Sequence, residues 1–258
     1  MNFLHKALTT LQKNVLHASQ ASLTVLMYHK VTSNLKKVDD LTISVTTLEN
    51  QFQYLKNSNY TIISIQELTQ LLLEDSFVKN TNYLLLTFDD GYLNNYELAF
   101  PLLQHYQLPA LIFLPTAYIG KTSAWDTNAK PIMSLPQIQN SPIGITYALH
   151  SHTHLNFQDQ SITTIKKELE SNINFFQKNN ISSNLSLAYP YGGRPKNTIL
   201  KKKLFQLLKS YSIPFAFRIG NKINALPLKN NYEIHRIDIK GKNTLENFKN
   251  KLNYSYWV

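Results

Sequence analysis

Short apolar runs alternate with amphipathic segments along most of the chain, and this alternation predicts strands and helices that follow one another in turn. Strands are predicted at residues 22–28, 61–65, 84–86, 110–114, 145–149, 185–189, 215–218 and 234–239. Helices are predicted at residues 46–56, 65–74, 92–106, 161–178, 198–211 and 244–252. Because strand–helix–strand alternation is typical of parallel βαβ units, the pattern predicts the α/β class rather than a β-sandwich.

The first residues of the chain predict a separate amphipathic helix. Leu4, Leu8, Leu11 and Val15 recur at helical spacing and lie on one face. Polar residues interrupt the apolar core that a secretory signal needs, so we expect no signal peptide and a cytoplasmic location. The segment contains no acidic residue. It therefore either packs on the main domain or makes peripheral contact with an anionic membrane surface.

Length and composition indicate one globular domain after that helix. The chain has 258 residues, of which 43% are hydrophobic and 16% are charged. We expect an N-terminal helix at residues 1–21 and a single α/β domain at residues 22–258. The sequence has no cysteine, which excludes disulfides and thiolate ligands. Any metal must therefore be bound by His, Asp or Glu.

The basic charge favours an anionic partner, but its distribution does not indicate a nucleic-acid site. The formal net charge is +10 at pH 7. A charge of this sign attracts phosphorylated glycolipids, acidic polysaccharides, nucleic acids and anionic membranes. The lysines are scattered, with short clusters at 36–37, 166–167 and 201–203 and no basic stripe interleaved with aromatic residues. We therefore expect no nucleic-acid partner.

Two adjacent carboxylates follow the apolar run at residues 84–86. Neighbouring side chains on a strand point to opposite faces, so Asp89 and Asp90 share a pocket only if the strand ends beneath them. Gly91 gives the backbone the freedom for that turn. Two carboxylates in contact require a cation or a shared proton, so the pair predicts a site. The alternative is that Asp90 only caps the helix that follows.

Other predicted strands also end in polar or turn residues. His29 follows the first strand, and three histidines, His150, His152 and His154, follow the strand at 145–149. A Pro-Tyr-Gly-Gly turn follows the next strand along the chain. In a barrel of parallel strands all of these ends lie on one face, where active sites form.

One aspartate and two histidines make a suitable set of ligands for a divalent metal with an open coordination position. A turn would bring His150 and His154 together with Asp90, because residues four apart lie on one side of a helical step. An extended segment would instead place His152 on the same face as the other two. Spacing alone therefore leaves the choice among the three histidines open.

The neighbouring groups are suited to amide hydrolysis at such a metal. A bound divalent ion polarises a carbonyl and lowers the pKa of its water. Asp89 is the candidate to accept a proton from that water, and His29 is the candidate to donate one to the leaving amine. The turn at 190–193 offers a backbone N–H to the developing oxyanion.

These motifs also carry a family resemblance. TFDDG at 87–91, HSHTH at 150–154 and YPYG at 189–192 occur in the order and spacing of the polysaccharide deacetylase domain. This domain is also called the NodB homology domain or carbohydrate esterase family 4, and the chain resembles it over residues 23–240. MYHKV at 27–31 is similar to the subset related to bacterial poly-N-acetylglucosamine deacetylases.

The resemblance implies a distorted (β/α)7 barrel that removes acetyl groups from sugars with a divalent metal, often zinc. It implies Asp89 as the base, His29 as the acid and the backbone of Tyr191, after Pro190, in the oxyanion hole. The metal ligands that it implies are Asp90, His150 and His154.

The chain departs from the family pattern in two places that bear on the catalytic groups. An arginine that often precedes the YPYG turn is missing, and the candidates to orient Asp89 instead are Arg194, Arg218 and Arg236. Many relatives use a C-terminal histidine as the acid, and here only His235 is available, within a predicted strand. We expect His29 to be the acid, because it follows a strand end and therefore reaches the pocket.

The stretch at residues 120–142 is predicted to be irregular, and loops of this length often form a binding wall. Trp125 lies in it and resembles a loop residue beside the sugar site of the family. The alternative is that Trp125 only packs.

We therefore expect a hydrolase that acts on non-peptide carbon–nitrogen bonds. Its expected reaction is release of acetate from an N-acetylhexosamine of a cell-envelope glycan or glycolipid. Its expected cofactor is a divalent metal, with zinc preferred and cobalt or nickel as alternatives. A decayed scaffold that only binds carbohydrate or membrane is the first alternative, and a related hydrolase with a non-sugar substrate is the second.

Overall fold

The computed structural model describes residues 20–254, 256 and 257. The predicted helix at residues 1–21 lies outside the described residues except for its last two positions. The strands are β1 Ser22–Tyr28, β2 Lys30–Thr32, β3 Thr42–Ser44, β4 Tyr60–Ile62, β5 Asn82–Phe88, β6 Ala110–Leu114, β7 Ile145–Leu149, β8 Ser183–Ala188, β9 Ala216–Ile219, β10 Lys222–Ala225, β11 Ile234–Asp238 and β12 Tyr256–Trp257. The α-helices are α1 Val45–Lys56, α2 Ile65–Leu73, α3 Phe100–His105, α4 Leu135–Gln139, α5 Ile162–Lys178, α6 Thr198–Ser210 and α7 Leu245–Tyr254. None of these described helices combines the length and apolar character needed to span a bilayer.

Seven parallel strands of the described chain close into a barrel, and helices surround it. Their order is β1, β11, β9, β8, β7, β6 and β5, and β5 pairs again with β1 to close the ring. The β1–β5 pair is the most extensive, with the register running from Ser22 opposite Asn82 to Tyr28 opposite Phe88. The (β/α)7 barrel predicted from the family resemblance is confirmed.

The barrel is distorted where short strands join it. Antiparallel β10 pairs with the start of β1, β4 pairs with the start of β5, and the register between β7 and β8 shifts. A separate two-stranded sheet forms from β2 and β3. The sequence pattern did not predict β2, β3 or β10, because strands of three or four residues are too short to show a reliable period.

Alternation along β5 divides the core into two layers. Leu84 and Leu86 point outward and pack in the cluster that the helices cover, whereas Leu85 belongs to the cluster of the barrel interior. Thr87, two residues further, is also inside and receives a hydrogen bond from Arg236 Nη1 at 3.2 Å. The inward row therefore leads from an apolar base toward a polar end of the barrel.

Local sequence explains how the helices begin, and the stretch at 120–142 differs from the irregular loop that was predicted. Ser64 and Glu67 form a capping box at the start of α2, and Ser161 caps α5 through the Thr164 N–H. The stretch at 120–142 was expected to be irregular, but it contains the five-residue helix α4, which begins with a second capping box at Ser134. The predicted helix at 92–106 contains a π-helical segment, Asn95–Ala99, directly before α3.

The packing of α1 on the barrel gives a test of the outer core. Leu48 on α1 is fully buried, so Leu48→Ala should lower the free energy of unfolding by about 2–5 kcal/mol through lost burial and a new cavity. The matched control is Leu73→Ala on α2, where the leucine is 82% exposed and the change should stay within about 0.5 kcal/mol. Urea denaturation measures both, and equal losses would contradict this packing.

Candidate active site

A cavity of about 170 Å³ opens where the carboxyl ends of the barrel strands meet. Most of its walls are the last residues of strands or the residues that follow them, as parallel strand ends require. The residues that line it are Met27, His29, Leu41, Asp89, Asp90, Tyr92, Trp125, His150, His154, Tyr189, Tyr191, Gly192, Ile219, Arg236 and Asp238. The strand ends named in the sequence thus converge on one buried, polar pocket.

The two adjacent carboxylates reach this pocket because β5 ends at Phe88. Asp89 continues the inward row of the strand, and Asp90 then adopts a left-handed backbone with φ of 73°. Gly91 follows with φ of 66°, and a Cβ there would lie 2.3 Å from Leu114 Cδ2, so glycine is required. Asp90 does not cap the next helix, because the Leu93 N–H donates to the Pro131 carbonyl instead.

Asp89 is held by Arg236 in a two-pronged ion pair inside the barrel. Arg236 Nη1 donates to Asp89 Oδ1 at 2.6 Å, and Nη2 donates to Oδ2 at 2.7 Å. Both side chains are almost fully buried. Burial opposes ionisation, but the Arg236 guanidinium outweighs it and holds the pKa of Asp89 below its ordinary value.

Arg236 is therefore the partner of Asp89 among the three arginines left open by the sequence. Arg194 is engaged elsewhere, since its Nε donates to Glu233 Oε1 at 2.6 Å. Arg218 Nε donates to the carbonyl of its neighbour Ile219 at 3.2 Å. Arg236 is the arginine that pairs with Asp89 because it lies on the inward face of β11, opposite the end of β5.

Asp90, His150 and His154 form a cluster with the character of a metal site. Asp90 Oδ1 lies 3.1 Å from His154 Nε2 and 3.4 Å from His150 Nε2, and one ligand atom from each residue falls within 4.8 Å of the others. Asp90 Oδ1 is buried without a hydrogen bond of good geometry, which is the condition of a ligand atom that awaits a cation. One carboxylate and two imidazoles fit a divalent ion.

The environment of His150 prepares its Nε2 for coordination. His150 Nδ1 donates to the Ala188 carbonyl at 2.8 Å, which leaves the lone pair on Nε2. Burial opposes ionisation of Asp90, but the two imidazoles beside it hold its pKa well below the ordinary value. The ligand oxygen is therefore ionised at neutral pH.

The loop after β7 brings two of its three histidines to the cluster with Asp90. Ser151 and His154 have left-handed backbones with φ of 54° and 57°, and Ser151 Oγ accepts a hydrogen bond from the Leu155 N–H at 2.8 Å. This turn brings His150 and His154 to one side, with ring centroids 4.9 Å apart. His152 points away, and its Nδ1 lies 2.9 Å from Thr116 Oγ1.

Trp125 forms the wall of the pocket beside the cluster. Its indole N–H donates to the Tyr92 hydroxyl at 3.0 Å and to Asp90 Oδ2 at 3.3 Å. Its ring packs on His154 with centroids 4.1 Å apart and an angle of 31° between the planes. Trp125 therefore contacts two members of the cluster directly. This contact goes beyond the alternative in which Trp125 only packs.

The two candidate acids differ in position. His29 lines the pocket, and its Nε2 lies 3.9 Å from Asp89 Oδ2. His235 does not line it, and the ring packs against Gly220, where a Cβ would lie 1.9 Å from His235 Nδ1. Burial, aided by the charge of Arg218, lowers the pKa of His235 to about 4. Geometry therefore favours His29.

The turn after β8 brings Tyr191 to the pocket. Tyr191 has φ of 58° and lines the cavity, and its ring centroid lies 4.7 Å from that of His154. The Gly192 N–H donates to the Tyr189 carbonyl at 2.8 Å and closes the turn. Pro190 is buried beneath it and is absent from the described residues that line the cavity.

Sequence reasoning missed a buried asparagine behind the cluster. Asn172 on α5 accepts a hydrogen bond from the His150 N–H at 3.1 Å and donates to Thr116 Oγ1 at 3.0 Å and to the Leu114 carbonyl at 3.3 Å. It thereby joins the ends of β6 and β7. The available signal was a polar residue on the otherwise apolar face formed by Leu169 and Ile173.

The chain belongs to the polysaccharide deacetylase family, whose model matches residues 78–208, just over half of the chain. The matched range includes the paired aspartates, the histidine loop and the turn after β8. Membership in this family of hydrolases agrees with the resemblance stated from the motifs.

Individual relatives carry more specific names. The poly-beta-1,6-N-acetyl-D-glucosamine N-deacetylase of Staphylococcus epidermidis is 25% identical over 215 residues, which are 80% of this chain and 70% of that protein. The protein of the same name from Staphylococcus aureus strain MSSA476 is 23% identical over 215 residues, with the same shares of the two chains covered.

Solved structures share the fold. The Streptococcus pyogenes deacetylase PplD, in complex with acetate, has a TM-score of 0.75 and 18% identity, and the match covers 91% of this chain and 100% of that one. IcaB from Ammonifex degensii has a TM-score of 0.71 and 18% identity, and the match covers 90% of this chain and 97% of that one.

The Arg236–Asp89 pair gives a test of the site's framework. Arg236→Met leaves a buried carboxylate without its partner, so the free energy of unfolding should fall by about 3–5 kcal/mol in urea denaturation. The double variant Arg236→Met/Asp89→Leu removes both charges and should recover part of that loss. Arg218→Met on β9 is the control, with an expected loss below about 1 kcal/mol.

The stability difference between wild type and Arg236→Met should depend on pH. Because the pKa of folded Asp89 is lowered, the pair stabilises the protein above the ordinary carboxyl pKa and loses this effect as the pH falls through the lowered value. The difference between wild type and Arg236→Met should therefore shrink on acidification. A difference that does not change with pH would show that Asp89 is not ionised in the folded protein.

Proposed function

We propose that this protein is a metal-dependent carbohydrate N-deacetylase that hydrolyses the acetamido group of an N-acetylhexosamine in a cell-envelope glycan or glycolipid. The observation that carries the proposal is the Asp90–His150–His154 cluster beside an ion-paired Asp89 in a barrel of the polysaccharide deacetylase family. The names of the Staphylococcus relatives support N-acetylglucosamine as the sugar and the amide nitrogen as the site of cleavage.

In this proposal Asp90, His150 and His154 hold the divalent ion, and zinc is the metal that a set of one carboxylate and two imidazoles favours, with cobalt or nickel as substitutes. A divalent ion bound there supplies Lewis-acid polarisation of the acetyl carbonyl and increased acidity of water. Trp125 keeps Asp90 oriented through the hydrogen bond to Oδ2, so that Oδ1 faces the two histidines.

The chain's own groups then move the protons. Asp89 takes a proton from water as the water oxygen bonds to the carbonyl carbon, and the backbone N–H of Tyr191 stabilises the developing oxyanion. His29 donates a proton to the nitrogen as the carbon–nitrogen bond breaks. The products are acetate and a free amine on the sugar. Arg236 acts through Asp89, because it fixes the carboxylate orientation and keeps it ionised.

The alternative of a decayed binding scaffold has two motivations, the arginine missing before the YPYG turn and the basic N-terminal helix. Arg236 provides a guanidinium to Asp89 from β11 instead, which removes the first of them. A cytoplasmic location and contact of the N-terminal helix with an anionic membrane stay proposals drawn from the sequence. An enzyme in that location would meet a lipid-linked or nucleotide-linked sugar precursor.

Two substitutions separate metal binding from proton transfer. Asp89→Asn should abolish acetate release and retain one bound metal per chain, because Asp89 is outside the ligand set. His150→Ala should lose both metal and acetate release. Metal content by plasma emission spectrometry and acetate release from N-acetylglucosamine oligosaccharides are measured on the same preparations. Undiminished turnover by Asp89→Asn would refute the mechanism.

The choice of acid is tested by a second pair of variants. His29→Ala should lower kcat about 10²–10⁴-fold, the usual contribution of a general acid, with little change in metal content. His235→Gln changes the other candidate histidine and should leave kcat within about threefold of wild type, because this ring does not line the pocket. The reverse order of effects would assign the acid to His235.

A further inference from the structure

A second cavity, of about 570 Å³, lies beside the catalytic pocket. We call it the lysine cleft. Lys36, Lys37 and Lys130 line it, together with the buried Lys30 and with Thr32 and Ser33. It is formed by the segment between β2 and β3, the start of the helix after β5 and the loop that carries Trp125. None of the mechanistic roles above uses it.

Residues that are neighbours along the chain line the lysine cleft and the catalytic pocket. His29 lines the pocket and the next residue, Lys30, lines the cleft. In the segment before β3, Leu41 lines the pocket and Asp39 lines the cleft. The two cavities therefore lie next to each other, on either side of the residues that follow β1 and of the segment before β3.

The wall between the two cavities is a chain of buried polar contacts. Lys30 Nζ donates to Asp126 Oδ1 at 2.9 Å, and the Tyr92 hydroxyl donates to Asp126 Oδ2 at 2.7 Å. The indole N–H of Trp125 donates to the same hydroxyl at 3.0 Å. Because Asp126 neutralises Lys30, the positive charge of the cleft comes from its other lysines.

Those other lysines have no acidic partners. Among the described residues, no carboxylate lies within ion-pair distance of the ammonium groups of Lys36, Lys37 or Lys130. Asp39 is the acidic residue that lines the cleft, and its Oδ1 already accepts a hydrogen bond from the Leu41 N–H at 2.8 Å. Three cations face one anion across a concave surface, which concentrates a positive potential there.

The sizes of the two cavities indicate how a substrate is divided between them. The catalytic pocket, at about 170 Å³, is smaller than a typical ligand site and holds little more than the reacting group. The lysine cleft, at about 570 Å³, is in the usual range for a ligand moiety. The remainder of a glycan therefore has to lie outside the pocket, and the cleft is a concave surface next to it.

We propose that the lysine cleft binds an anionic group, a phosphate or a carboxylate, carried by the glycan next to the sugar that is deacetylated. Lysine ammonium groups bind such anions as point charges, and the hydroxyls of Thr32 and Ser33 add hydrogen-bond capacity. That the ligand is a glycan rests on the proposed function. The anion preference itself rests on the cleft and is measured by binding.

The experiment compares matched ligands by calorimetry on the full chain in the Asp89→Asn background, so that the ligand is not consumed. The probes are a β-1,6-linked N-acetylglucosamine tetrasaccharide, the same tetrasaccharide with a phosphate monoester at either end, and the same with a terminal glucuronate. The phosphate and glucuronate arms distinguish the two sources of negative charge. The unmodified tetrasaccharide is the neutral reference.

The charge-removing variant is Lys36→Gln/Lys37→Gln. Its matched control is Lys202→Gln/Lys203→Gln on α6, an adjacent exposed pair that changes the net charge equally and does not line the cleft. At least one anionic probe should bind the parent about tenfold more tightly than the neutral probe. This ratio should fall toward one in Lys36→Gln/Lys37→Gln, persist in the control, and decrease as salt is raised.

Equal affinities for anionic and neutral probes, or an equal loss of preference in both lysine variants, would overturn the proposal. Binding of an oligothymidylate with the same affinity and the same dependence on Lys36 and Lys37 would overturn the assignment to a glycan. Acetate release by the wild-type enzyme is measured separately. An anion preference without acetate release would refute the proposed function and leave the anion site standing.

Discussion

The bidentate pair of Arg236 and Asp89 is the interaction on which the rest of the site depends. It joins β11 to the end of β5 across the intervening β1, so it fixes strands that are not neighbours in the barrel. Two buried charges without each other would be costly, so each side chain holds the other in place. The result is an ionised, buried carboxylate that faces the pocket with its orientation fixed.

This pair also explains how two adjacent aspartates remain ionised in one pocket. Arg236 lies against Asp89 and the two imidazoles lie beside Asp90, and the pKa of both carboxylates is lowered. The left-handed backbone at Asp90 and Gly91 brings the second carboxylate into the same pocket as the first, beside the two imidazoles. Identical side chains in consecutive positions thereby acquire different chemistry, which is a consequence of backbone geometry more than of residue type.

Sequence patterns predicted the features of the fold and the site that depend on the local order of residues. Apolar runs located the barrel strands, and their polar ends located Asp89, Asp90, His29 and the histidine loop, because parallel strands place those ends on one face. Which histidines meet Asp90, and which arginine meets Asp89, was not predictable in this way. The turn at Ser151 and the inward face of β11 decide these pairings, and Asp89 and Arg236 are 147 residues apart. The buried Asn172 and the chain from Lys30 to Trp125 were missed for the same reason.

Different parts of the fold control chemistry and selectivity. The reacting groups follow strands, whose positions the whole barrel fixes, and Asn172 secures them from behind through β6 and β7. The walls of the lysine cleft come largely from the segment between β2 and β3 and from the loop that carries Trp125, and loops vary more than the strands that they connect. Changes in these walls can alter which glycan is bound while the proton-transfer groups stay in place. The ion pair of Lys30 with Asp126 connects the two parts, because it joins the start of β2, directly after β1 and His29, to the loop residue next to Trp125.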